Sequence, residues 1–189
     1  MNNSFKINGY LFLGKNAETI YKMYFLPEDR LKGFENSKEF EEELFKMGKQ
    51  FVSNKSNENY RSSINLIYLK GSVVLFKVYK DFYLFLFSLS YENELIMRDV
   101  FLVFDDIINF CLKENKSAVN FLNNYAELIQ YFDDILDDGY IINLNSKDIL
   151  SKRNHEKISK IDNNTDPSVN SKESKLGFAF NFGKSLFGK

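Results

Sequence analysis

The sequence has no tryptophan, one histidine, one cysteine, two prolines and nine glycines among 189 residues. Each scarcity removes a class of function. The single cysteine, Cys111, forms no intramolecular disulfide, which fits a reducing compartment. One cysteine and one histidine cannot assemble a four-ligand zinc site. His155 stands in a polar stretch rich in Asn, Lys and Ser, where nothing would hold it beside a nucleophile, so Ser-His and Cys-His arrangements are excluded. Cys111 falls on the apolar arc of a helical pattern and reads as an inert buried thiol. Gly177, Gly183 and Gly188 are too widely spaced for a phosphate cradle and follow no strand.

Two further absences concern partners. Lys and Arg (25) balance Asp and Glu (26) to a net charge of −1, which gives no electrostatic reason to expect nucleic acid. The longest apolar runs, Val73 to Phe76 and Phe82 to Leu89, fall far short of the ~20 residues that cross a bilayer. The N-terminus shows no basic start, apolar run and small-residue cleavage site, so a secretory signal is not expected. The expectation is a soluble, cytoplasmic chain whose membrane contact is peripheral. What the sequence does have is aromatic bulk, 20 Phe and 11 Tyr within a 44% hydrophobic composition. That suffices for one well-buried domain plus an appendage.

The order of patterns is strand, strand, helix, three strands, helix, helix. Phe5 to Leu13 and Thr19 to Phe25 read as a hairpin about Gly14-Lys15-Asn16, with Pro27 stopping the second strand. A helix capped by Asn36 or Ser37 follows, with Glu39, Glu41, Glu42 and Glu43 near its positive end and an apolar face of Phe40, Leu44, Met47 and Phe51. Residues 53–62 form a polar loop. Ile64–Leu69, Ser72–Tyr79 and Phe82–Leu89 read as strands, the last two joined by a short Lys80-Asp81 turn. The last strand is almost continuously apolar, as in a sheet covered on both faces.

Tyr91–Lys113 is the strongest helix. Ile96, Val100, Val103, Phe104, Ile107, Ile108, Cys111 and Leu112 fill a broad arc, with Phe101 and Phe110 at its margins. The arc spans roughly 200°, wider than the ~100° stripe that rests on one surface, so two neighbours must cover it. Ser117–Leu136 reads as one amphipathic helix with Phe121, Leu122, Tyr125, Leu128, Ile129, Phe132, Ile135 and Leu136 inward, stopped by Gly139. Tyr140–Leu144 is a short extended segment. Packing all these faces gives an α+β domain over residues 1–150: a five-stranded antiparallel sheet with one helix on one face and two on the other. Residues 151–175 read as a disordered polar linker, and 176–189 as an aromatic tail of Phe178, Phe180, Phe182, Leu186 and Phe187.

The acidic pairs Asp105-Asp106, Asp133-Asp134 and Asp137-Asp138 are the remaining candidates for chemistry. Asp105, Asp106 and Asp134 fall on polar arcs and read as solvated faces rather than a metal site. Asp133 to Asp138 oppose a helix dipole, which suits either a basic partner or an exposed, charge-tolerant end. No catalytic, cofactor or metal residue is expected.

Gly71 to Leu95 reads GSVVLFKVYKDFYLFLFSLSYENEL, and Ser90 to Leu95 form an S-Y-E-N-E-L helix opening. Phe121-Leu122-Asn123-Asn124 and Phe132-Asp133-Asp134-Ile135-Leu136-Asp137-Asp138-Gly139 follow. In order and spacing these segments, across most of residues 5–150, resemble the coatomer zeta subunits of the adaptor small-chain family. The departures are an Asp-Gly pair where that family has Gly-Gly, and the Asn-rich tail. The resemblance implies a longin-like fold and no catalysis. It also implies a place in the coatomer vesicle coat beside the gamma subunit, with a small GTPase acting indirectly and the Golgi membrane contacted peripherally. Its nearest alternatives are a sigma subunit of a clathrin adaptor and a regulatory longin domain. Tyr91, Glu92, Asn93, Glu94 and Leu95, with the bulky Phe101, Leu102 and Phe110 of the same helix, are the candidate partner contacts; alternatively the bulky residues only cover the sheet and the second helix.

Overall fold

The computed structural model describes residues 5–25, 37–53, 63–89 and 92–153. The cap at Asn36, the loop over 54–62, Tyr91, and the linker and tail from residue 154 onward lie outside them. Strand β5 (Phe82–Leu89) lies at the centre of a sheet built with β1 (Gly9–Gly14), β2 (Thr19–Tyr24), β3 (Asn65–Leu69) and β4 (Ser72–Val78). The order is β2-β1-β5-β4-β3 and every neighbouring pair is antiparallel. Lys70 and Gly71, with φ of 47° and 76°, make the two-residue turn between β3 and β4. Positive φ at both positions matches the twist of the strands, so the turn needs a glycine and a residue that tolerates the left-handed region.

Because side chains alternate along a strand, β5 supplies two cores at once. Tyr83, Phe85 and Phe87 point to the face covered by helix α1 (Ser37–Ser53), where they meet Phe40 and Leu44. Gly48 of α1 lies directly over this layer; a Cβ there would stand 3.2 Å from the Phe85 ring. Phe82, Leu84 and Leu86 point to the opposite face, under helix α2 (Glu94–Leu112). Each fully buried aromatic or Leu contributes about 1.5–3 kcal/mol, so a strand apolar on both faces stabilises only when both faces are covered.

The broad arc of α2 is covered by the sheet on one side and by α4 (Tyr125–Asp133) on the other. Phe104 of α2 stacks on Phe132 of α4 with ring centres 4.4 Å apart and planes at 14°, and Tyr10 of β1 meets both rings edge-on. The expected single helix over 117–136 is broken. Helix α3 (Ala118–Asn123) ends at Asn124, whose side-chain amide donates to the Asn120 carbonyl and so competes with the backbone ladder. The break changes the inward face: Phe121, Leu128, Tyr131 and Phe132 are buried, while Leu122 and Tyr125 are exposed. Strands β6 (Leu136–Asp137) and β7 (Tyr140–Ile141) then form a small hairpin. A last helix, α5, opens at residue 146 under an Asn145 cap, buries Ile149, and runs through residue 153. The sequence pattern gave no helix there.

Each face of the sheet also carries a carboxylate that bonds a helix to a strand. On the α1 face, Glu41 is buried and accepts from Thr19 Oγ1 at 2.6 Å, Lys22 Nζ at 2.7 Å and Tyr24 Oη at 3.0 Å, all on edge strand β2. On the α2 face, Asp105 accepts from Lys77 Nζ at 2.6 Å and Tyr79 Oη at 2.7 Å. Asp105 is therefore not on a solvated face: its side chain is 13% exposed and engaged by β4 and the residue after it.

Burial pushes the Glu41 carboxyl up, but the bonds from Lys22, Thr19 and Tyr24 outweigh that and hold it below its ordinary value. For a lowered carboxyl, the stabilisation is complete above the ordinary pKa of 4.5 and is lost as pH falls through the lower folded value. Glu41→Gln should lower stability at pH 7 by about 1–3 kcal/mol. Denaturant melts across the acid range should show that the variant's stability falls less on acidification than that of the original chain.

Candidate partner-binding surface

Of the S-Y-E-N-E-L segment, Glu92, Asn93 and Glu94 are engaged within the domain, and Ser90 and Tyr91 lie outside the described residues. The half-buried Glu92 carboxylate accepts the backbone N–H of Lys6; burial pushes its pKa up and that bond opposes the shift. Asn93 is the N-cap of α2: with φ −75° and ψ 110° it stands outside the helix, and its Oδ1 accepts the N–H of Leu95 at 2.9 Å and of Ile96 at 3.4 Å. Glu94, in the first turn, favours the positive end of the helix and accepts the Tyr68 hydroxyl of edge strand β3. Three polar residues of the motif thus fix where α2 begins and tie it to the segment before β1 and to β3.

Leu95 is the exposed apolar member of the described part of the motif, at 71%. Leu102 (37%) lies two turns further on the same side, about 10.5 Å along the axis. Phe110 (43%) sits roughly 80° round the helix from Leu102, towards its C-terminal end. Phe101 does not join them. It is fully buried, because the sheet and α4 together enclose the arc to its margin. The structure therefore divides the expected contacts into structural residues (Glu92, Asn93, Glu94, Phe101) and an exposed apolar stripe of Leu95 and Leu102 flanked by Phe110. An apolar stripe of this kind on a helix end is suited to packing rather than to chemistry.

The second stretch of the motif closes the opposite margin of the same side. Asp138 and Gly139 take φ of 45° and 82° in the β6–β7 turn, so Asp-Gly serves where Gly-Gly would, since Asp tolerates the left-handed region. The turn docks on the start of β1: Ile7 N–H donates to the Gly139 carbonyl at 2.9 Å, and Lys6 Nζ lies 3.2 Å from Asp138 and 4.9 Å from the centre of the Tyr140 ring. The explanation of Asp138 is this turn and its lysine. No group of three or more His, Cys, Asp or Glu that could hold a metal occurs among the described residues. Cys111 is half-buried against the α2 core. No described helix is long and apolar enough to cross a membrane.

Such an arrangement, an antiparallel five-stranded sheet between α1 and the α2–α4 pair, is that of the small chains of vesicle coats. A chain of the structure titled "Homology model of the full-length AP-3 complex in a stretched open conformation" superposes with a TM-score of 0.54 at 17% identity, covering 83% of this chain and 96% of that one. The family model described as "Clathrin adaptor complex small chain" matches residues 11–159, and the chain belongs to that family. It is similar to coatomer subunit zeta of Saccharomyces cerevisiae, 22% identical over 78% of this chain and 77% of that protein. It is also similar to the TSET complex member tstD of Dictyostelium discoideum, 25% identical over 83% of this chain and 99% of that protein. The family is one of structural coat subunits, and the chain is a coat small subunit of longin-like fold.

The cap can be tested by itself. Asn93→Ala should cost about 1 kcal/mol in chemical denaturation, and Asn93→Asp should restore most of it, because an aspartate oxygen accepts the same two N–H groups. Equal stability of all three chains would mean that α2 starts without its cap.

Proposed function

We propose that the chain is the zeta-type small subunit of a coatomer coat, that it packs against the gamma subunit, and that it serves vesicle transport between Golgi and endoplasmic reticulum without catalytic activity. The observation that carries this reading is the curated match to coatomer zeta together with the two zeta-like segments. In the fold these become the capped start of α2 and the Asp-Gly hairpin docked on β1. The stripe of Leu95, Leu102 and Phe110 is the contact proposed for gamma. Recruitment by a small GTPase is indirect in this reading, through the larger subunits, and the Golgi membrane is contacted peripherally.

A second reading is a small subunit of another adaptor-type complex. It is favoured by the match to tstD, which spans nearly that whole protein, and by the AP-3 superposition. Affinity capture of the tagged full chain from its own cells, with partners identified by mass spectrometry, separates the two. Recovery of gamma coatomer supports the first, recovery of adaptor or TSET large subunits supports the second, and recovery of no large subunit overturns both.

The interface has its own prediction. Central apolar contacts in protein interfaces carry about 2 kcal/mol or more each, roughly thirtyfold in affinity. Leu95→Asp and Leu102→Asp should each abolish capture of the large subunit while leaving the thermal midpoint of the free chain within a few degrees, since both side chains already face solvent. Phe101→Ala should instead lower the midpoint, as loss of a buried ring costs about 3–5 kcal/mol.

A further inference from the structure

Three connections meet at one end of the domain, and each carries lysine. Gly14 pairs with Phe82 and Val78 with Tyr83, which sets the β1–β2 turn beside the β4–β5 turn. Asp81 Oδ1 in the β4–β5 turn accepts the N–H of Ala118 at 2.6 Å, which brings the α2–α3 connection to the same end. Lys15, Lys80, Lys113 and Lys116 lie on these three connections, the first three exposed and the fourth half-exposed. None of them forms an ion pair among the described residues; Lys38, Lys46, Lys49, Lys147 and Lys152 elsewhere likewise form none, while Lys6, Lys22, Lys70 and Lys77 do. Three acids lie at the same end: Glu18 accepts the N–H of Asn16, Asp81 that of Ala118, and Glu114 is exposed, so four lysines face three carboxylates there.

Directly beyond the lysines, the first turns of α3 present Val119 at 67% exposed and Leu122 at 56%. These residues lie one turn apart on the helix, and the residues between them are Asn120 and the buried Phe121, so no charge interrupts the pair. The opposite end of the sheet carries the acidic hairpin of Asp137 and Asp138 together with Glu92 and Glu94. Four unpaired lysines thus lie beside exposed aliphatic side chains at one pole.

We propose that this pole is a contact site for an anionic lipid surface: Lys15, Lys80, Lys113 and Lys116 attract the headgroups while Val119 and Leu122 enter the headgroup boundary. Unpaired lysines at loop tips match a surface of many dispersed negative charges, and shallow aliphatic insertion is how a peripheral protein gains from the acyl boundary. The stripe proposed for the large subunit does not include these residues, so the contact stands whichever large subunit is held.

The test is co-sedimentation of the full chain with vesicles of phosphatidylcholine alone and of phosphatidylcholine with roughly a third phosphatidylserine, at low and high salt. The expected result is binding to the anionic vesicles only, lost at high salt. Each lysine removed should weaken partitioning about fivefold. The quadruple variant Lys15→Glu, Lys80→Glu, Lys113→Glu, Lys116→Glu should therefore remain in the supernatant, with circular dichroism confirming its fold. Val119→Ser with Leu122→Ser should weaken binding several-fold while keeping its salt dependence. Equal binding to neutral vesicles, or undiminished binding by the folded quadruple variant, overturns the proposal and moves lipid contact to another part of the chain. No sedimentation of the original chain also overturns it and leaves the lysines to an acidic protein neighbour.

Discussion

The fold rests on one requirement: β5 is apolar on both faces, so a helix must lie on each side of the sheet. Tyr83, Phe85 and Phe87 have to be covered by α1, and Phe82, Leu84 and Leu86 by α2. Apolar covering alone is indifferent to where along the sheet a helix comes to rest, because the hydrophobic effect is non-directional. The two carboxylates supply the missing direction. Glu41 holds α1 over edge strand β2 through three donors, and Asp105 holds α2 over β4 through two. Their partners are hydrogen-bonded in each case, so these partly buried charges cost less than lone ones and specify a position.

The same requirement explains which part of α2 stays exposed. An arc of roughly 200° needs two covers. The sheet is one and α4 is the other, through the Phe104–Phe132 stack. The part of α2 that remains uncovered holds Leu95 and Leu102, aliphatic side chains on an otherwise polar side that includes Arg98, Asp99, Asp106 and Asn109. Leu95 is the more open of the two, and Leu102 keeps part of its surface packed. Their neighbours Glu92, Asn93 and Glu94 are needed within the domain, and they fix the helix that displays them. The motif combines a structural device with a displayed apolar end, which is economical in a subunit that works by packing.

Much of this arrangement was legible from local pattern. Alternation and turn chemistry placed all five strands, and helical spacing found α1 and α2, because those signals depend on neighbours close in sequence. Four things were hidden for physical reasons. Asp105 sits on the polar arc of its helix, and only the pairing of β4 with β5 brings Lys77 and Tyr79 beneath it. The break at Asn124 depends on a side-chain bond to Asn120 that a periodicity count does not register, and it turned Leu122 and Tyr125 outward. Phe101 was placed on the margin of the arc, and which margins are covered is decided by α4, a tertiary neighbour. Helix α5 was missed because one buried residue, Ile149, makes no period. In the candidate surface, the exposed leucines were legible as apolar residues beyond the arc, while the structural work of Glu92 and Asn93 required the observed chain path.

The polarity of charge along the sheet axis follows from the same topology. Antiparallel strands return their connections to two ends only, so every turn residue is sorted to one pole or the other. Lys15, Lys80 and the lysines of the α2–α3 connection fall at one pole, and the Asp-Gly hairpin falls at the other because it docks on the entry of β1. The leucine stripe runs along α2 between these poles, beginning at the acidic one. A large partner lying along α2 would cover the stripe and leave both ends open, one to each side of a layered assembly. An apolar stripe on the flank and two ends with their own sets of charged turn residues thus arise from a single sheet.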